Sequence, residues 1–161
     1  MITHLNKNNE PRIVDINSKK NTKRSAKAEG KVTFSKKVFD KITFKKIEKL
    51  KSKKGSIKNI AIMAGIMGAK ETSRLIPLCH NINLENVDIH IKPIKKDSSL
   101  KVIADVKTFG KTGVEMEALT AVSISCLTIY DMCKSLDKSI TIKEIKLIAK
   151  KGGKSDFKVD K

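Results

Sequence analysis

Apolar positions along this chain recur with two different periods, and the switches between them mark out the elements. Residues 87–92, VDIHIK, alternate strictly between apolar and polar, and residues 100–107, LKVIADVK, do so with one slip. A period of two puts one face of a strand on a core and the other in water. The polar run Lys95-Lys96-Asp97-Ser98-Ser99 between them predicts a hairpin. A weaker alternation over 25–34 predicts an earlier strand, and 140–148 a last one.

Helical spacing governs the rest. Residues 35–49 place Val38, Ile42 and Ile47 on one side behind Ser35 as N-cap, which predicts a basic amphipathic helix. Residues 58–76 predict a second helix, ended by Pro77. Along it Ala61, Gly65 and Ala69 recur every four residues, so one face is almost bare. Glycine costs a helix up to about 1 kcal/mol, and the return expected is close approach of another backbone. Residues 113–134, GVEMEALTAVSISCLTIYDMCK, predict a long helix with almost no polar face. Thr112 and Glu115 in front of it have the spacing of a capping box.

The order is therefore strand, helix, helix, strand, strand, helix, strand. The economical packing is α+β, a ferredoxin-like antiparallel sheet with helices packed on one face. A chain of 161 residues suits one domain. It is expected to span 1–161, with a polar N-terminal arm over 1–24 and a flexible C-terminal tail over 152–161. The apolar circumference of the long helix and the bare stripe exceed what one small sheet can cover, so a homo-oligomer is expected.

Charge narrows the partners. The formal net charge is +18, and almost all of it is lysine, with only Arg12, Arg24 and Arg74 as arginines. Base-edge readout favours the planar arginine fork, and single-strand binding needs stacking aromatics. The chain has no Trp and one Tyr. The charge therefore suggests an anionic partner without naming nucleic acid. The longest apolar run, 60–69, is about half of the roughly 20 residues that span a bilayer, and MITHLNKNNEPR lacks the order of a signal peptide. Three cysteines without a CxxC pair agree with a reducing compartment. A soluble cytoplasmic protein is expected.

Four places carry candidate chemistry. Asp131 and Lys134 are three apart on the apolar helix and share one side of a turn. A structural ion pair is one reading. A pair whose protonation is tuned by burial and by each other is the alternative. Asp131 also lies where the helix dipole disfavours a carboxylate, whereas Glu117 lies in the first turn, where dipole compensation and function are both open. Cys79-His80 follows Pro77, but His4 and His90 offer no recognisable metal spacing, so a ligand hydrogen bond is expected there and no metal site. Lys150-Lys151-Gly152-Gly153-Lys154-Ser155 ends like a phosphate loop, yet Ile148 stands where that motif needs glycine.

Four segments together resemble one family. GKTGVEMEALTAVS followed by LTIYDMCK, AGIMGAKETSRLIPLCH, MITHLN with PRIVDI, and KKGGKSDFKV are similar to the MoaC family of cyclic pyranopterin monophosphate synthases, which acts in molybdenum cofactor biosynthesis. The similarity runs over nearly the whole chain in the right order. The tail departs from it, reading GGKSDF where the family usually has a further glycine after the serine.

The resemblance implies a ferredoxin-like subunit in a homohexamer, a trimer of dimers, with sites at subunit interfaces. It implies a lyase that rearranges (8S)-3′,8-cyclo-7,8-dihydroguanosine 5′-triphosphate into the tricyclic pterin and releases pyrophosphate. Carried over by position, Asp131 and Lys134 are catalytic. Leu78, Cys79, His80, Met116 and Glu117 contact substrate, together with the cations Lys54, Lys70, Lys150 and Arg24. No cofactor is implied beyond Mg2+ accompanying the triphosphate.

Overall fold

Small side chains decide what lies at the centre of the sheet. The computed structural model describes residues 4–44, 51–52 and 55–159. In it the inward positions of strand β1 (Thr22–Thr33) are Ala26, Ala28, Gly30 and Val32, all buried. A Cβ on Gly30 would sit 2.7 Å from Val122 Cγ1 and 3.4 Å from Cys126 Sγ. The long helix, Glu115–Cys133, therefore rests directly on this strand. Bulkier residues at 26–30 would lift the helix off the sheet.

Following the chain from β1, helix α1 (Lys36–Phe44) comes first, then the short hairpin β2 (Lys51–Ser52) and β3 (Gly55–Ser56). Helix α2 (Ile57–Lys70) and the turn-length α3 (Thr72–Leu75) lead into β4 (Asn86–Ile94). A short 3-10 turn joins β4 to β5 (Ser99–Gly110), and the long helix, α4 (Glu115–Cys133), leads into β6 (Thr141–Lys151) and β7 (Phe157–Lys158). The main sheet has the order β4-β5-β1-β6-β7. Every pairing in it is antiparallel. Setting the two-residue β7 aside, two split β-α-β units interleave with β1 and β5 in the middle, which is the ferredoxin-like arrangement. The expected fold class holds.

Alternation sorts the two faces. Ile89, Ile91, Leu100, Val102, Ala104 and Val106 are buried under the helices. The opposite face carries ion pairs: Lys27 to Asp105 at 2.8 Å, and Lys31 to both Asp97 and Glu144 at 3.0 Å. Such solvent-accessible pairs contribute little to stability, so burial under the helices holds the layers together.

The bare stripe of α2 meets α4 of the same chain. A Cβ on Gly65 would lie 2.1 Å from Ser125 Oγ and 2.8 Å from the Ala121 carbonyl. Ser125 Oγ donates to the Ala61 carbonyl at 2.9 Å, which satisfies a buried hydroxyl across the contact. The backbone approach expected from the sequence is thus made inside one chain. On α2 and α4 the apolar surface left outside includes Met63, Met67 and Leu127, each more than half exposed.

Three local readings change. The second helix breaks at Glu71, where Thr72 Oγ1 donates to the carbonyls of Gly68 and Ala69 and a separate turn follows. The capping box does not form: Val114 is the N-cap of α4, with no side-chain hydrogen bond, and Glu115 pairs elsewhere. Helix α4, 19 residues, is long and apolar enough to cross a membrane by length and composition, since an 18-residue window of it has mean hydropathy 1.2 although Glu115, Glu117 and Asp131 lie in the helix. Its inward half is the core of the fold. The first predicted helix is α1 as far as Phe44, and the remainder of that reading lies outside the described residues. Ser35 accepts the first helical hydrogen bonds through its carbonyl, and its own N–H donates to Asp137 Oδ2 at 2.7 Å.

Candidate active site

The end of one crossover and the start of the other meet over the top of the sheet. After α3, Pro77 stops the helical path, and Cys79 N donates to the Ile76 carbonyl at 3.1 Å to close a turn. The loop then lies on the upper end of β5, where Thr108 Oγ1 donates to the Asn83 carbonyl at 2.6 Å and Glu85 N to the Lys107 carbonyl at 3.0 Å. These bonds hold Leu78, Cys79 and His80 against the first turn of α4. Between them is a cavity of about 300 Å³, lined by that loop, by Thr112, Gly113, Glu115, Met116 and Glu117, and by His4 from the N-terminal arm.

Glu117 is the charged centre of the cavity. It is 4 % exposed. Burial, with a smaller push from the Glu115 carboxylate, raises its carboxyl to about 7, against some relief from a backbone hydrogen bond. Near neutral pH it exists in both forms, so it can accept hydrogen bonds or hand on a proton. Burial, and then the Glu117 charge, raise the Cys79 thiol, which makes it a neutral wall of the cavity rather than a nucleophile.

His80 has an assigned tautomer. Its Nε2 lies 2.7 Å from the Val14 carbonyl, which can only accept, so Nε2 carries the proton and donates. Nδ1 of the neutral ring is then an acceptor. The same contact ties down the N-terminal arm, which Lys111 Nζ also holds by donating to the Asn17 carbonyl at 3.1 Å.

Two cations stand around the segment that leads into α4. Lys150 Nζ is 3.2 Å from Glu115 Oε1, and Arg24 Nε donates to the Gly110 carbonyl at 2.9 Å. The glycine pair after Lys150 is shaped around Arg24: both glycines have φ near +90°, and a Cβ on Gly152 would lie 2.4 Å from the Lys23 carbonyl. No L side chain fits there without strain. Gly152 N donates to Asp156 Oδ1 at 2.9 Å, and the chain returns as β7 on β6. The resemblance of this tail to a phosphate loop is thus a turn that fits its own neighbour.

The remaining site residues read from the sequence lie apart. Asp131 and Lys134 are paired at 2.7 Å as their spacing predicts, and their side chains are 53 % and 60 % exposed. The hydrogen bond from Lys134 to Asp131 raises the lysine above its ordinary value. They sit at the far end of α4, outside the cavity of their own chain. Lys70 is exposed in the last turn of α2, where the helix dipole favours a cation. Lys54 lies outside the described residues. Sequence reasoning passed over His4, Thr112 and Glu115 as cavity residues. Glu115 was absorbed by a capping box that does not form, and His4 lies 76 positions from His80 with no periodic element to place it.

Among the described residues no three His, Cys, Asp or Glu side chains converge as a cation site. The model of the MoaC family matches residues 13–153. A cyclic pyranopterin monophosphate synthase of Helicobacter pylori (strain G27) is 52 % identical over 155 residues, covering 96 % of this chain and 95 % of that protein. Proteins of the same name from Clostridium acetobutylicum and Campylobacter lari are 47 % and 49 % identical, covering 98 % and 96 % of this chain and 95 % of each relative.

Proposed function

The chain belongs to the MoaC family, and we propose that it is a cyclic pyranopterin monophosphate synthase acting in molybdenum cofactor biosynthesis. It converts (8S)-3′,8-cyclo-7,8-dihydroguanosine 5′-triphosphate into cyclic pyranopterin monophosphate and pyrophosphate. The observation that carries this reading is the cavity that sets a buried carboxyl, Glu117, opposite His80 and Cys79, with Lys150 and Arg24 at the segment beside it. A guanine-derived base presents donors and an acceptor on one edge, and these side chains have the matching polarity. In the phosphate step a sugar hydroxyl bonds to the α-phosphorus and gives up its proton, while the α–β bridging P–O bond breaks and pyrophosphate departs. Developing charge on that leaving group is stabilised by preorganised cations. Lysines supply them.

The ring rearrangement needs proton transfers, for which Asp131 and Lys134 are assigned as the catalytic pair. In the isolated chain this pair is exposed, and an exposed pair contributes little to stability. Its value as a mere staple is therefore small. Covering by a neighbouring subunit would desolvate it and bring it into another chain's cavity. The outward Met63, Met67 and Leu127 support such covering. The assembly proposed is a homohexamer, a trimer of dimers, with sites at subunit interfaces. Lys54, Lys70, Leu78 and Met116 complete the substrate contacts. No resident cofactor is assigned, Mg2+ entering with the triphosphate, and the protein acts in the cytoplasm on a small molecule rather than on nucleic acid or a membrane.

The test is direct. Purified protein supplied with the cyclised triphosphate should release one pyrophosphate per pterin formed, followed by coupled phosphate detection and mass spectrometry. Unchanged substrate at micromolar enzyme would refute the assignment.

A further inference from the structure

The N-terminal arm buries a histidine nitrogen that no other described residue partners. His4 Nδ1 is buried and has no hydrogen-bond partner among the described residues. The other buried side-chain atoms in that condition are hydroxyls of Thr33 and Ser99, cross-strand neighbours at the end of β1 and β5 opposite to Thr22 and Gly110. Among the described residues His4 is thus the one such group lining the cavity. Leaving a polar atom buried and unpaired is destabilising, a cost that a phenylalanine of the same shape would avoid.

Its position is firmly built. The His4 carbonyl accepts from Arg12 N at 2.9 Å, and Leu5 bridges to Pro11. Asn6 Oδ1 accepts from Asn8 N at 2.8 Å and Glu10 N at 2.9 Å, which closes the turn between them. Val14, further along the arm, is anchored to His80. The ring is carried into the cavity by a structured loop.

The polarity of the cavity says what is missing. Glu115 accepts, Glu117 accepts when ionised, and His80 Nδ1 accepts because Nε2–H is committed to Val14. The amide N–H and exocyclic amine of a guanine-derived base are donors and suit these groups. Its carbonyl oxygen needs a donor. Among the lining side chains the donors are His4, Thr112, the weak Cys79 thiol and Glu117 while it is protonated, and of these only His4 has a buried atom without a partner among the described residues. We propose that His4 is a further substrate-binding residue, donating through Nδ1–H to the carbonyl oxygen of the guanine-derived base. This role rests on the function proposed above and adds the arm as a wall of the same site.

Steady-state pyrophosphate release by four variants tests it. Asn places a side-chain N–H where Nδ1 stands, whereas Gln reaches only the position of Nε2. His4→Ala, His4→Phe and His4→Gln should raise KM about tenfold or more, with kcat changed less, because a contact made equally in ground and transition states is lost. His4→Asn should recover most of that loss, and all four should keep the wild-type Tm within a few degrees. His4→Phe fills the ring's place without a polar atom, so it guards against a misfolded alanine variant. An active wild type whose His4→Phe and His4→Ala variants keep KM within about twofold, or whose Asn variant is no better than Gln, overturns the role of His4 alone. A wild type that releases no pyrophosphate overturns the function and this role with it.

Discussion

Lys150 Nζ and Glu115 Oε1 are 3.2 Å apart, and this contact joins the end of β6 to the first turn of α4. It leaves Glu117, two residues further on, facing the cavity with no cation paired to it among the described residues. Both partners are about one-third exposed, so the pair adds little to stability. Lys150→Ala should therefore lower Tm by no more than a degree or two, while kcat/KM falls on the order of 100-fold, the usual cost of removing one stabilising donor from developing negative charge. Thermal denaturation beside pyrophosphate release separates the two effects. A large stability loss with normal turnover would make Lys150 structural.

Glu117 should show the opposite balance. Its folded carboxyl titrates near 7, raised mainly by burial, whereas an unfolded glutamate titrates near about 4.3. Below that value both states are protonated and the site costs nothing. Between the two values the unfolded chain ionises first, so stability falls as pH rises, and above about 7 the penalty is constant. Glu117→Gln should raise Tm more at about pH 8 than at about pH 4, and should lose most activity at both. An equal shift in Tm at the two values would show that burial does not tune this carboxyl.

Gly65 tests the helix contact. Its missing Cβ leaves room for Ser125 Oγ and the Ala121 carbonyl. Gly65→Ala gains helix propensity of up to about 1 kcal/mol but forces α2 and α4 apart, and overpacking costs about 1–3 kcal/mol. Net destabilisation is expected, read as a lower urea midpoint with unchanged slope. Pairing the change with Ser125→Ala should relieve part of it.

How much of this was legible in the sequence depends on whether the signal was local. The alternation at 87–92 and 100–107 specified β4 and β5, and the bare face of α2 specified a close contact. Which backbone filled that contact was not legible, because a period of four marks a face and not its neighbour. Thr112 and Glu115 had the right spacing for a cap, yet Lys150, brought alongside only by β6 pairing with β1, claims the carboxylate. His4 was hidden for the same reason. Its place depends on the His80–Val14 bond, a contact between segments 66 residues apart.

The two ends of α4 pose the geometric question that decides how the site is assembled. Glu117 and Asp131 are 14 positions apart, about 21 Å along a helix rising 1.5 Å per residue. A pterin ring cannot touch both carboxylates of one helix. An extended triphosphate approaches that length, but Asp131 and Lys134 are exposed in their own chain, so the simplest geometry for a site that uses both ends takes them from different subunits. Asp131→Asn, which cannot exchange a proton near neutral pH, should keep the fold and oligomer and lose product formation. Glu117→Ala and Asp131→Ala should each be inactive alone. Unfolded and reassembled together, they should regain part of the wild-type rate, because a mixed pair of subunits carries one doubly damaged site and one intact site. Native mass spectrometry reports whether mixed oligomers form. If they do and activity stays at zero, Glu117 and Asp131 do not meet across an interface.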